Sequence, residues 1–181
     1  MSEAAGDFEL IDRCLGGDRD AFALLVERYK KPVYNVAYRI LADAEEARDV
    51  TQAVLIKAWQ NLGRYDRAFR FYSWIYKIAI NEAINALKKT RRLEPLEEAG
   101  AIADGTDPER VRAQAELGDR VQRALMTLKA EYRVVIVLKH MLDCTYDEME
   151  WITGVPEKTI KSRLFTARRL LRERLVQEGV R

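Results

Sequence analysis

Residues 145–175 carry a register that admits few folds. On a helical wheel of ~100° per residue, Ile160, Leu164, Ala167, Leu171 and Leu175 form one narrow apolar stripe. Lys158, Lys161, Ser162, Phe165, Arg168, Arg169 and Arg172 fall on the other side. Upstream, Thr145 and Glu148 have the spacing of a capping box, which satisfies free N–H groups at a helix start. Tyr146, Met149 and Ile152 supply that helix with a buried side. Gly154 permits a positive-φ turn, and Pro156 opens the next helix, where a missing N–H costs little. A short helix, a glycine turn and a basic amphipathic helix make a helix-turn-helix. Ile160 and Leu164 then pack back on the first helix while the basic face projects outward. A solvated helix has no use for a ring among its cations. A helix in a DNA groove does, because a ring edge can meet a thymine methyl while Arg and Lys take phosphates and base edges. On this geometry Lys158, Lys161, Ser162, Phe165 and Arg169 are candidate DNA contacts.

Almost every other segment reads as helix, with a period near 3.6. The first is expected at about 8–15, ended by Gly16-Gly17. Asp18 or Asp20 caps the next, with Phe22, Leu25 and Val26 on its apolar side. Pro32 is expected to interrupt or bend the pattern before Val33, Val36, Ala37 and Ile40 resume it. Asp43 caps a third helix through Val50, Val54, Leu55, Ala58 and Trp59. Residues 61–71 read as a loop, and a long helix follows at about 72–90. Between Leu93 and Asp107 the character changes: Pro95, Gly100, Gly105 and Pro108 appear amid acids and small residues, which is linker chemistry. Helix resumes near Pro108. The expected fold is all-α: two small helical domains, 1–92 and 113–181, joined by a flexible acidic linker at 93–112, the second domain a helix-turn-helix.

Charge tells by its distribution. The net charge of the 181 residues is only +2, which by itself argues against nucleic acid. Yet basic residues gather in KKTRR (88–92) and along the last helix, and acids gather between Glu94 and Asp119, an asymmetry typical of nucleic-acid binders. Cys14 and Cys144 form no CxxC pair and no metal-ligand spacing, so two reduced thiols and no metal are expected. The acidic start MSEAAGDFEL lacks the apolar stretch of a signal peptide, and no apolar run approaches the ~18 residues of a membrane span. A cytoplasmic protein without membrane insertion is the expectation. His140 has no Ser, Cys or carboxylate constellation around it, so it is read as structural. No catalytic residue, cofactor or small-molecule substrate is implied.

The first domain offers a second candidate surface. Trp74, Lys77, Asn81, Asn85 and Lys88 share one side of the wheel, apart from Ile75, Ala79, Ala83 and Ala86. Asn offers a donor and an acceptor to base edges, rings stack on unstacked bases and Lys pairs with phosphate. The preceding loop interleaves Arg64, Tyr65, Arg67, Phe69, Arg70 and Phe71, which suits capture of an extruded base. By residue type alone, Trp74 fits a core position equally well.

Taken together these motifs resemble the bacterial RNA polymerase sigma factors of the extracytoplasmic-function group. The resemblance covers nearly the whole chain. It rests on GDRDAFALLVERYKKPVYNVAYRIL (17–41), DVTQAVLIKAW (49–59), FYSWIYKIAINEAINALKK (71–89) and EYRVVIVLKHMLDCTYDEMEWITGVPEKTIKSRLFTARRLLRERL (131–175). It implies two domains that work on polymerase core. The first binds the β′ clamp helices and reads and opens the −10 element; the second binds the β flap and reads the −35 element. Asp49, Gln52, Leu55, Lys57 and Trp59 then fall on the clamp-binding helix. Residues 65–71, including Tyr65, Asp66, Arg67 and Phe69, match the loop that captures a flipped base, and Asn81 matches a residue lining that site. Lys161, Ser162, Arg163, Phe165 and Thr166 match the −35 readers. Ala53 stands where the DVTQ motif continues with Glu, and Thr166 where Arg is common. The family's usual further partner is a cognate anti-sigma factor, often membrane-bound. The alternatives are a stand-alone helix-turn-helix regulator, which would dimerise on a palindrome, and a sigma-like decoy that binds only an anti-sigma protein.

Overall fold

A computed structural model describes residues 6–90 and 108–179; the greater part of the expected linker lies outside these. Among the described residues eight α-helices follow in order: α1 (Asp7–Leu15), α2 (Arg19–Leu41), α3 (Ala44–Asn61), α4 (Phe71–Thr90), α5 (Pro108–Met126), α6 (Ala130–Ile136), α7 (Tyr146–Thr153) and α8 (Glu157–Gln177). A 3-10 turn (Leu62–Arg64) follows α3, and a wider π-turn (Val137–Met141) extends α6. No strand occurs among the described residues. Helix resumes at Pro108 as expected, so α5 begins within the stretch 93–112 assigned to the linker.

Local chemistry sets the boundaries. Asp18 caps α2 by accepting from the N–H groups of Asp20 and Ala21 at 3.0 and 3.2 Å. Asp43 caps α3 by accepting from Glu46 N–H at 2.8 Å. Such caps stabilise a helix by about 0.5–2 kcal/mol relative to Ala. Pro32 does not interrupt α2, which runs unbroken through it. Val33, Val36, Ala37 and Ile40 beyond it are all buried, and their packing outweighs the hydrogen bond that proline cannot donate.

In the first unit α2, α3 and α4 pack together, with α1 laid against α2. Leu25, Ile40, Val54, Ile75, Ala79 and Ile80 fill the centre. The second unit wraps α8 with α5, α6 and α7. The apolar run 134–138 is buried throughout and passes from α6 into the π-turn.

The helix-turn-helix forms as its residues dictate. Thr145 and Glu148 make the capping box. Gly154 takes φ 67° and donates its N–H to Glu150 at 2.7 Å, a left-handed conformation that glycine adopts without steric penalty. Met149, Ile152, Ile160, Leu164 and Ala167 close the seam between α7 and α8. Cys14 and Cys144 are buried, free thiols, and burial pushes the Cys144 thiol up to about 12.

The two units meet. Arg133 of α6 is buried and donates to the Ile40 carbonyl at the end of α2 and to that of Leu128 at 3.2 Å. Gln122 accepts from Arg39 at 3.1 Å and donates to the Tyr38 carbonyl at 3.2 Å. Arg133 thus satisfies the Ile40 carbonyl at the C-terminus of α2, whereas the Tyr38 carbonyl, which already accepts from Ala42 N–H at 2.8 Å, gains a second donor in Gln122. Farther along, α4 packs on α7.

Candidate nucleic-acid interfaces

The exposed side of α8 is built by its buried side. Ile160, Leu164 and Ala167 are at most 1% exposed, so the helix cannot rotate without uncovering them. That leaves Lys158, Lys161, Ser162, Arg168 and Arg169 exposed and Phe165 74% exposed, next to cations as the wheel predicts. Fixed groups shape several of these cations. Lys161 pairs with Glu157 and lies 5.0 Å from the Tyr146 ring centroid; the Glu157 hydrogen bond holds its pKa above the ordinary lysine value. Arg169 pairs with Glu173 at 3.0 Å. Arg168 donates to His140 Nε2 at 3.0 Å, so His140 acts as a neutral acceptor under α8. Burial, then the neighbouring Arg168 and Lys139 charges, push its pKa down.

Arg163 is half-buried and paired with Glu131 of α6 at 2.8 Å, so in the free chain it bridges two helices. Thr166 is half-buried beside it on the edge of the face.

The 65–71 loop divides into supports and presented groups. Tyr65 was expected to face a base. Instead it is 9% exposed, its ring lies 5.4 Å from that of Phe71, and its hydroxyl donates to the Phe69 carbonyl at 2.5 Å. Asp66 accepts from Ala68 N–H at 2.9 Å and so shapes the turn. Arg67 pairs with Asp12 of α1 and holds the Asp12 carboxyl below its usual range through that hydrogen bond. Trp74 is half-buried, 5.5 Å from both Tyr65 and Phe71. Trp74 is thus neither wholly core nor wholly open.

Phe69 and Lys77 project toward α7. The Phe69 ring stacks on Trp151, with centroids 4.1 Å apart and 24° between planes. Lys77 Nζ lies 4.1 Å from the same indole centroid. Asn81, Asn85 and Lys88 are exposed along α4.

On α3 the outward residues are Asp49, Gln52, Lys57 and Trp59, with Leu55 half-buried. Lys57 pairs with Glu82 of α4 at 2.6 Å. Trp59 is 43% exposed and is held edge-on by Phe22, with centroids 4.7 Å apart. Ile56, one turn before Trp59 and missed by motif reading, is 50% exposed, as is Leu24 on α2. Trp151 and Glu148, the other groups missed as contacts, sit off the apolar stripe of α7; only their neighbours across the fold reveal them.

No helix among the described residues is long and apolar enough to cross a membrane, and no cluster of metal-ligating side chains occurs among them.

Comparison with known proteins matches residues 25–93 to Sigma-70 region 2 and residues 118–171 to Sigma-70, region 4. Over 170 residues the chain is 35% identical to the ECF RNA polymerase sigma factor SigW of Bacillus subtilis, covering 88% of this chain and 91% of that one. It is 33% identical over 179 residues to the ECF RNA polymerase sigma-E factor of Escherichia coli, covering 93% of each. Among solved structures, the sigma factor RpoE of Bartonella quintana, in complex with the anti-sigma factor NepR, superposes with a TM-score of 0.71 at 24% identity. That match covers 85% of this chain and 96% of the other and speaks for the fold alone.

Proposed function

The chain belongs to the sigma-70 family, in its extracytoplasmic-function group, and from that premise we propose how its surfaces divide the work of promoter-specific initiation. The α3 face around Trp59 docks on polymerase core through the β′ clamp helices, and the second unit engages the β flap. The α8 face reads the −35 element. The 65–71 loop and the open side of α4 read the −10 element and hold a base drawn out of the stack. The family is not one of enzymes, so the chemistry of RNA synthesis stays with the polymerase. An anti-sigma factor is the expected regulator, as the Bartonella sigma factor was solved with one.

One observation carries the assignment of α8: Phe165 is 74% exposed in the middle of a basic face whose opposite side is buried. An open ring at that place costs solubility and contributes nothing to the core. It gains its value against a major groove. Phe165→Ala is expected to lower discrimination among −35 sequences by about 1–3 kcal/mol with no loss of fold. Base preference unchanged in a promoter-library transcription assay with core polymerase would remove Phe165 from the interface.

The −10 assignment is tested at Asn81. Strand opening costs a few kcal/mol per base drawn from the stack, and a residue that holds the base matters most where that cost is unmet. Asn81→Ala should therefore impair transcription from duplex promoters far more than from pre-melted templates. Equal loss on both would assign Asn81 to something other than opening.

A further inference from the structure

Free of polymerase, the chain folds its second unit onto its first, and the contact is chemically specific. Trp151 lies against Phe69 and Lys77, a ring and a cation each 4.1 Å from the indole. On the same short helix, Glu148 Oε1 accepts from Tyr72 Oη at 2.6 Å and from Ser73 Oγ at 3.1 Å. Burial works against the Glu148 charge, but these donors and the Thr145 cap outweigh it and hold the carboxyl below its ordinary value. So α7 presents to α4 a flat fused bicycle and, three residues before it, an anion. Those are the two parts of a nucleotide: an unstacked base, which seeks a ring and a cation, and a phosphate, which seeks hydroxyl donors.

We propose that α7 docks on the first unit as an internal nucleotide mimic. Trp151 stands in the place of an extruded base and Glu148 in that of its phosphate. The proposal rests on the −10 assignment above and names its ligand class more narrowly: Phe69 and Lys77 hold one single-stranded nucleotide by its base, while Tyr72 and Ser73 take its phosphate. The free chain is closed to single-stranded DNA until polymerase draws the units apart. A cavity of about 250 Å3 remains between the units, walled by Pro32, Val36 and Tyr76 on one side and Val137, Met141 and Leu142 on the other. At the far end the units hold each other through hydrogen bonds of Arg39 and Gln122 and through the buried Arg133, which donates to the Ile40 carbonyl.

The test measures the full-length chain without polymerase. The probe is fluorescein-labelled single-stranded DNA carrying the opened strand of a promoter that the holoenzyme transcribes, followed by anisotropy. Trp151→Ala should tighten binding by about tenfold, the scale of one base–ring stack. Arg39→Ala, which loosens the same interface from its other end, should tighten it in the same direction, and it decides the matter if Trp151→Ala fails to fold by circular dichroism. Both should leave holoenzyme transcription from pre-melted templates within about twofold, since core has already separated the units. Unchanged or weaker binding in these variants, with Phe69→Ala still weakening it, would overturn the mimic and leave the base site standing. If Phe69→Ala and Lys77→Ala also leave DNA binding and promoter opening unchanged, the −10 assignment fails and takes the mimic with it.

Discussion

Trp59→Ala is expected to weaken association with core RNA polymerase by about 2–4 kcal/mol, the range of an interface hot spot, which is a loss of roughly 30- to 1,000-fold. The argument is one of preorganisation. The indole is 43% exposed, yet its edge contact with Phe22 at 4.7 Å restricts how it moves. A ring so held gives up little freedom on binding and brings a large apolar area. Ile56 lies one turn away and 50% exposed, and Asp49, Gln52 and Lys57 are exposed on the same helix. A central apolar anchor within a polar rim is the usual anatomy of a tight contact. The same substitution removes only partly buried surface, so thermal unfolding should shift little. Competition against the unaltered chain for core enzyme, read alongside a melting curve, separates the two effects. Core affinity within threefold of the unaltered chain would move the polymerase face away from α3.

Two neighbours on α8 should behave in opposite ways. Leu164 is 1% exposed and Phe165 is 74% exposed. Leu164→Ala should destabilise the second unit by about 2.7–5 kcal/mol, because removal of buried methyl groups loses their transfer energy and leaves a cavity. Against the 5–15 kcal/mol typical of a whole domain, that is a large share for so small a body. Urea unfolding followed by far-UV circular dichroism should show an earlier transition for Leu164→Ala. Phe165→Ala should unfold at the midpoint of the unaltered chain. Similar shifts for both would mean that α8 sits in a different rotation from the one described, and that the basic face is not the open one. The pair therefore tests the structural premise beneath the −35 assignment without any DNA in the cuvette.

Much of this was legible in the chain. Helical period, the Asp18 and Asp43 caps, the Thr145–Glu148 box and Gly154 all depend on groups a few residues apart, and such short-range chemistry is written in order along the sequence. The rotation of α8 was legible for the same reason, since an apolar stripe and a basic stripe on one helix leave only one way to face the core. Pro32 shows the first limit. Its local rule says that a helix breaks, but burial of Val33, Val36 and Ile40 against other helices overrides the missing hydrogen bond.

The loop marks the second limit. Tyr65, Arg67 and Phe69 are alike in type and spacing as candidates for base capture. The fold turns Tyr65 inward to brace Phe71, ties Arg67 to Asp12 and lays Phe69 against Trp151 of α7. Arg163 likewise shares the basic helix with Lys161 but reaches back to Glu131. Periodicity places a side chain on a face; it does not say which oppositely charged group from a distant segment will meet it there.

By itself the sequence determined an all-helical chain with two helices that carry candidate nucleic-acid faces, and its motifs determined the family, because both are properties of residues close together in order. Only the tertiary structure decided which cations stay open, which aromatic side chain of the loop is offered, and that α7 lies over Phe69 and Lys77. The reason is physical: Phe69 and Trp151 stand far apart along the chain, and nothing in the local preference of either specifies the other. Their meeting belongs to the packing of α7 on α4, beside that of α5 and α6 on α2, a condition that exists only once the helices have packed.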